Sequence, residues 1–217
     1  MIKKFLQYHP VHKKIAPIFD TIFLFRPTMF FAVWVMVVVG IISADLNMQA
    51  SSLWNTGFSW QTFLVFSGLT LLISAAFISN QITDENNDHD DKKLFLIGKH
   101  ISSEKGKSIV KILLIIGGLI SIIANWITAV LAIGIFFLRR IGYNQAPFEW
   151  MKAPFSIGLV NSFFGVLLFI LGWILGMGNF PSTGIIPLSI DTLFHMLPYV
   201  LGFSAVSLLA TLPDIKG

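Results

Sequence analysis

Between Ile112 and Leu138 the chain carries no charged side chain, and the same is true from Leu46 to Thr83. Uncharged apolar runs of this kind constrain folding more than any other feature here, because a helix of about 20 apolar residues spans the hydrocarbon core of a bilayer. Composition points the same way. Hydrophobic residues make up 55% and charged residues 12% of the 217, and 21 phenylalanines supply most of the aromatics. An average soluble domain is about 25% charged. With a mean hydropathy of +0.78, the expected fold is all-α, a polytopic transmembrane helical bundle.

Six spans are expected, near Thr28–Ala44, Phe58–Ser79, Ser108–Ala124, Trp126–Tyr143, Ser156–Met177 and Thr192–Leu212. The middle pair is the difficult one, since Ile112–Leu138 is long for one span and short for two. Asn125 near its centre offers a turn, and Lys107 and Lys111 are able to snorkel and so lengthen the first helix of a hairpin. Charge topology favours the hairpin. Five basic residues, Lys3, Lys4, Lys13, Lys14 and Arg26, precede the first span, and six, from Lys92 to Lys111, lie between the second and the third or at the latter's edge. Arg139, Arg140 and Lys152 follow the fourth and Lys216 the sixth, which accounts for all 15. Six spans put every one of these segments on one side, as the positive-inside rule requires. Both termini and the Asp84–Lys111 loop are therefore expected to be cytoplasmic.

The same topology explains the net charge of +4 as orientation and attraction to an anionic leaflet, with no nucleic-acid partner expected. Trp54, Trp60 and Trp126 fall near the expected external interfaces, where indoles anchor. The chain has no cysteine, which removes disulfides and thiolate metal ligands. Basic residues and Pro10 and Pro17 at the start argue against a cleavable signal peptide. No linker divides the chain, so residues 1–217 are read as a single transmembrane domain.

The second span ends abruptly in Asp84-Glu85-Asn86-Asn87-Asp88-His89-Asp90-Asp91-Lys92-Lys93. Asn80, Asp84 and Asp88 stand at i, i+4 and i+8, and a helix would drift only about 40° per four-residue step, so their oxygens share a face and suit a hard divalent cation. A solvated, helix-capping turn is the ordinary explanation of such a cluster. Two features weigh against it: the spacing is periodic, and Lys92 and Lys93 follow at once, where cations and a bound metal could jointly clamp diphosphate oxygens. Magnesium, which uses one or two carboxylates with phosphate oxygens and water, is the leading candidate.

These residues resemble the UbiA family of intramembrane prenyltransferases, whose first motif, Asn-x-x-x-Asp-x-x-x-Asp at the cytoplasmic end of the second helix, is matched by Asn80 to Asp88. Supporting matches stand in the expected order: Arg26-Pro27 before the first span, Tyr143-Asn144-Gln145-Ala146-Pro147 after the fourth, and Asn161 with Gly165 inside the fifth. Thr211-Leu212-Pro213-Asp214-Ile215-Lys216-Gly217 looks like the start of the second aspartate motif. Family members usually have nine helices, so the chain resembles the N-terminal two-thirds of the fold. The usual second motif continues to an aspartate one position past Gly217, and Lys93-Leu94-Phe95-Leu96 stands where many members have an arginine-proline pair.

The resemblance implies magnesium held by Asn80, Asp84, Asp88 and Asp214, and diphosphate contacts from Lys92 and Lys93. It implies a prenyl diphosphate donor whose isoprenoid passes to an aromatic or lipid acceptor within the bilayer. No protein nucleophile is required. Little turnover is expected of the chain as it stands, because half of the second motif is absent. Arg26, Tyr143 and Asn161 are possible substrate contacts, although hydrogen bonding between helices explains Asn161 equally well and an interfacial tyrosine is commonplace. For His195 a packed or interfacial histidine is the preferred reading, Asp90 and Asp91 are read as a solvated face, and His89 and His100 lack the spacing of a zinc site. The alternative is a non-catalytic membrane protein, a transporter remnant or assembly partner, with a cation-binding loop. Against the transporter, every carboxylate sits at or outside a span end, not at the midplane.

Overall fold

The structure, a computed structural model, describes residues 18–19, 21–47, 59–84, 97, 101–142, 154–177 and 189–211. These residues form α1 (Thr28–Asn47), α2 (Trp60–Asp84), α3 (Ser103–Ala124), α4 (Trp126–Phe137), α5 (Pro154–Gly176) and α6 (Ile190–Thr211). A π-helical turn, Leu138–Gly142, continues α4. Among the described residues the pairing of Ile97 with Ile101 is an isolated bridge between extended positions. Helices α2, α3, α5 and α6 are long and apolar enough to cross a membrane, and α1 adds a shorter apolar segment. The bundle's outer surface is itself apolar, with Ile123 73% and Phe155 78% exposed. In water such a surface would aggregate; in lipid it is solvated. The protein is an integral, multi-pass membrane protein.

Local chemistry fixes the helix ends. Ser59 and Ser189 accept from the backbone N–H of Thr62 at 3.2 Å and of Thr192 at 3.1 Å, which satisfies donors at the starts of α2 and α6. Asn125 serves two helices. Its backbone N–H closes α3 onto Ser121, while its side-chain oxygen accepts from Ile127 at 2.8 Å and Thr128 at 3.4 Å to open α4. The uncharged Ile112–Leu138 run is thus a hairpin of two helices, as the charge topology required. Two boundaries move outward by five residues from their sequence positions. Helix α2 continues past Ser79 to Asp84, and α3 begins at Ser103, five residues before Ser108, because Ser102 caps it and Lys105, Lys107 and Lys111 are exposed along its first turns.

Packing contacts set the relative directions. Along α2 and α3, Gly68 lies against Gly117 and Ser121, and Ile82 against Gly106, so the two helices are antiparallel. Along α1 and α5, Val37 lies against Gly172 and Ile41 against Gly176, so these two are parallel. Helix α6 returns along α5, with Ser204 donating to the Gly158 carbonyl at 2.9 Å. The start of α1, the end of α2, the start of α3, the end of α4, the start of α5 and the end of α6 consequently share one end of the bundle. Trp60 and Trp126 open α2 and α4 at the other end, 71% and 67% exposed, as interfacial anchors should be. Trp54 lies outside the described residues.

Helices α1 and α5 meet at their backbones. Gly172 and Gly176, spaced four apart, face Gly40 and Ala44, the small-residue pattern that lets membrane helices approach closely. A methyl group at Gly172 would overlap the Val37 carbonyl, and one at Gly40 the Phe169 carbonyl. Gly172→Ala is therefore expected to force the helices apart and destabilise the protein by about 1–3 kcal/mol. Gly134→Ala, where a Cβ meets nothing within 4 Å, should be neutral or stabilising by up to about 1 kcal/mol. Thermal unfolding in detergent checks both, and equal melting temperatures for the two variants would contradict the packing argument.

Candidate functional site

Continuous helix from Trp60 to Asp84 keeps Asn80 and Asp84 one i, i+4 step apart on one face of α2. Asn80 is half-buried, and Asp84 is the last residue of the helix. Two oxygen donors one turn apart, at the end where an apolar helix leaves the bundle, suit a magnesium ion that takes one or two protein ligands. Asp88, Lys92, Lys93, Tyr143 and Asp214 lie outside the described residues. Among the described residues no three His, Asp or Glu side chains gather into a metal-binding group.

Arg26 comes to the same end by a different route. Its backbone has φ of 51°, a left-handed conformation that is uncommon outside glycine and asparagine. Pro27 disfavours the right-handed helical region at the preceding residue, and the turn is fastened on both sides. The N–H of Arg26 donates to the Phe23 carbonyl at 3.0 Å, and the Arg26 carbonyl accepts from Met29 at 2.9 Å. Gln81, the residue after Asn80, donates through Nε2 to the Leu24 carbonyl at 3.1 Å in a buried contact. The helix that carries Asn80 thereby holds the turn that presents the exposed Arg26.

Asn161, on α5, is 1% exposed. Its Oδ1 accepts from Arg139 Nη1 at 3.0 Å, so the contact joins the π-helical turn to α5. The Arg139 guanidinium carbon also stands 5.7 Å from the centre of the Phe77 ring on α2 and 5.1 Å from that of Phe164 on α5, within the range of cation–π attraction. Sequence reasoning counted Arg139 only as a cytoplasmic charge. The available signal was its position directly after the apolar run, where the preceding helix has room to carry it inward. His195 lies on the exposed face of α6.

Away from these groups, a largely apolar groove of about 600 Å³ runs between α1 and the first half of α2, lined by Trp34, Phe63, Phe66 and Leu71 among others. The Trp34 indole donates to Thr70 Oγ1 at 3.0 Å across it. Thr70 precedes Asn80 by ten residues, or about 15 Å of helix.

The sequence matches the UbiA prenyltransferase family over residues 46–217, well over half of the chain. No curated protein and no solved structure gives a significant match.

Replacing Gln81 by leucine keeps most of the volume but leaves the buried Leu24 carbonyl without its donor, which costs about 1–3 kcal/mol locally. Hydrogen exchange at the Phe25 and Arg26 amides should quicken at least several-fold in Gln81→Leu while α3 amides keep their protection. Unchanged exchange at both turn amides would show that Gln81 does not hold the turn.

Proposed function

Because the chain belongs to the UbiA prenyltransferase family, and so to a kind of protein that transfers prenyl groups, we propose that its site is built for magnesium-dependent transfer of an isoprenoid from a prenyl diphosphate to an aromatic or lipid acceptor inside the bilayer. The observation that carries this reading is the unbroken run of α2 through Asp84, which keeps the spacing of Asn80 and Asp84 helical at the end of the bundle where the Arg26 turn and Arg139 also lie.

In this reading Asn80, Asp84, Asp88 and Asp214 hold the magnesium, as family members generally do. When bound, the ion supplies neutralisation of the negative charge that develops on the diphosphate leaving group. Lys92 and Lys93 add positive charge to the same oxygens. The C1–O bond breaks with its electron pair leaving on the diphosphate, and C1 becomes an allylic cation. Phenylalanine faces stabilise that cation and exclude water from it. An electron-rich carbon or oxygen of the acceptor then bonds to C1 and the acceptor loses a proton, so no covalent enzyme intermediate arises. Arg26, Tyr143 and Asn161 contact the polar parts of the substrates, and the groove along α2 offers apolar surface to hydrocarbon. Residues 1–217 act as one transmembrane domain, with both termini and the Asp84–Lys111 loop in the cytoplasm.

Membranes carrying the chain are expected to retain a radiolabelled prenyl diphosphate only with magnesium. Asp84→Ala and Asp88→Ala should each lower that retention at least about tenfold, the scale of one lost charge-assisted contact. Release of inorganic diphosphate with the same magnesium dependence separates transfer from mere cation binding. Retention that survives both substitutions and chelation would overturn the proposal.

A further inference from the structure

Helices α1 and α2 follow one another in the chain but do not pack closely, since α1 lies against α5 and α2 against α3. The glycine contacts draw each helix toward its own partner. Between α1 and α2 they leave the groove that the Trp34–Thr70 hydrogen bond bridges. We infer that this groove holds one acyl chain of a phospholipid, taken from the leaflet on the far side of the bundle from Asn80.

The chemistry of the lining selects a hydrocarbon. Four of its residues carry hydroxyls, yet each has a partner within the protein. Ser67 donates to the Phe63 carbonyl at 2.9 Å, Thr70 to the Phe66 carbonyl at 2.7 Å, and the hydroxyls of Ser59 and Thr62 meet at 3.2 Å. The Trp34 N–H is spent on Thr70. A chain of methylenes asks for no further hydrogen bond, whereas water in the groove would need several.

The dimensions select a chain of one leaflet. On α2 the lining runs from Ser59 to Leu71, about 18 Å of helix, close to the roughly 15 Å that one leaflet contributes to the hydrocarbon core. Its mouth lies beside Trp60, which is exposed and stacks on Phe63 at 5.4 Å, as an indole at headgroup level does. The walls settle how the occupant arrives. Trp34 and Phe63 are both exposed, so the groove is continuous with the lipid-facing surface of the bundle and the bilayer itself covers it. A void of about 600 Å³ there would leave the rings without neighbours on one side. An isoprenoid held by its diphosphate near Asn80 would have to run about 14 Å along α2 before it met Leu71, nine residues away, whereas a chain from the far leaflet enters directly.

Native mass spectrometry of the full chain, purified in detergent with added dioleoyl phosphatidylcholine, tests this. The wild-type protein should keep one phospholipid. Ser67→Phe, which puts a ring into the groove, should lower that retention several-fold, and Ile116→Phe, which adds a ring on the exposed face of α3, should leave it unchanged. Phe63→Ala removes a wall at an exposed position and should also lower retention, so it decides the matter if Ser67→Phe does not fold. The inference is overturned if the wild-type protein keeps no lipid, or keeps an isoprenoid lipid or a second copy of the chain in its place. Folded groove variants that retain phospholipid as the wild type does overturn it too, as does an equal loss in Ile116→Phe, the mark of a non-specific lipid shell. Asp84→Ala keeps the two proposals apart, since it should lower magnesium-dependent retention of prenyl diphosphate while the phospholipid stays in place.

Discussion

The contact between the backbones of α1 and α5 sets the frame for the rest of the bundle. Lipid tails are as apolar as the helices, so burying leucine against leucine gains little, and close packing must supply the attraction. Gly172 and Gly176 against Gly40 and Ala44 bring carbonyls within reach of facing Cα atoms, closer than any Cβ would permit. Larger side chains then fill the flanks: Phe169 and Trp173 stack at 6.1 Å beside the glycines, and Met36 packs toward Gly165. With α5 fixed in this way, Asn161 and Phe164 have no latitude to slide along the bundle. The place where Arg139 meets Asn161 and Phe164 is thus set by glycines some two to three turns away.

A similar device operates between α2 and α3, with different results. Gly68 and Gly117 again allow close approach, but the neighbour is a polar side chain, Ser121, whose hydroxyl is spent on the Gly117 carbonyl at 2.8 Å. Ser67, Thr70, Ser74 and Thr83 likewise return their hydroxyls to carbonyls one turn back on α2. Polar side chains within the span are therefore satisfied inside their own helix. Gln81 is different, since its amide leaves the helix to bind the Leu24 carbonyl. The change from self-satisfied hydroxyls to outward contacts falls in the turn that carries Asn80, which is where a binding function is proposed.

Much of the fold was legible because hydropathy and charge report directly on the bilayer. Loss of charge located the helices, and the distribution of lysine and arginine split the Ile112–Leu138 run at Asn125, where the structure has its double cap. The helix ends were less legible. Capping by Ser102 and exposure of Lys105, Lys107 and Lys111 go with an α3 that extends beyond its apolar core, and hydropathy averages register neither. The α1–α5 contact was missed for a different reason: glycine spacing shows that a close approach is possible, but not which helix makes it. At the site, the Asn80–Asp84 spacing was visible as periodicity, whereas the contacts of Arg139 depend on three elements distant in sequence.

Arg139 shows where counting charges falls short of structure. The positive-inside rule needs only that basic residues flank a span, and Arg140 and Lys152 meet that need next to the fourth span without Arg139. Helix α4 has 12 residues, and even with the five-residue π-helical turn it is the shortest of the six helices. The arginine at the end of this helix stands against Phe77, seven residues before the end of α2, and so within the bundle. Phenylalanines on α2 and α5 and the amide of Asn161 make the interior the better place for it. A residue that a charge count assigns to the interface is consequently held, by its side chain, between three helices.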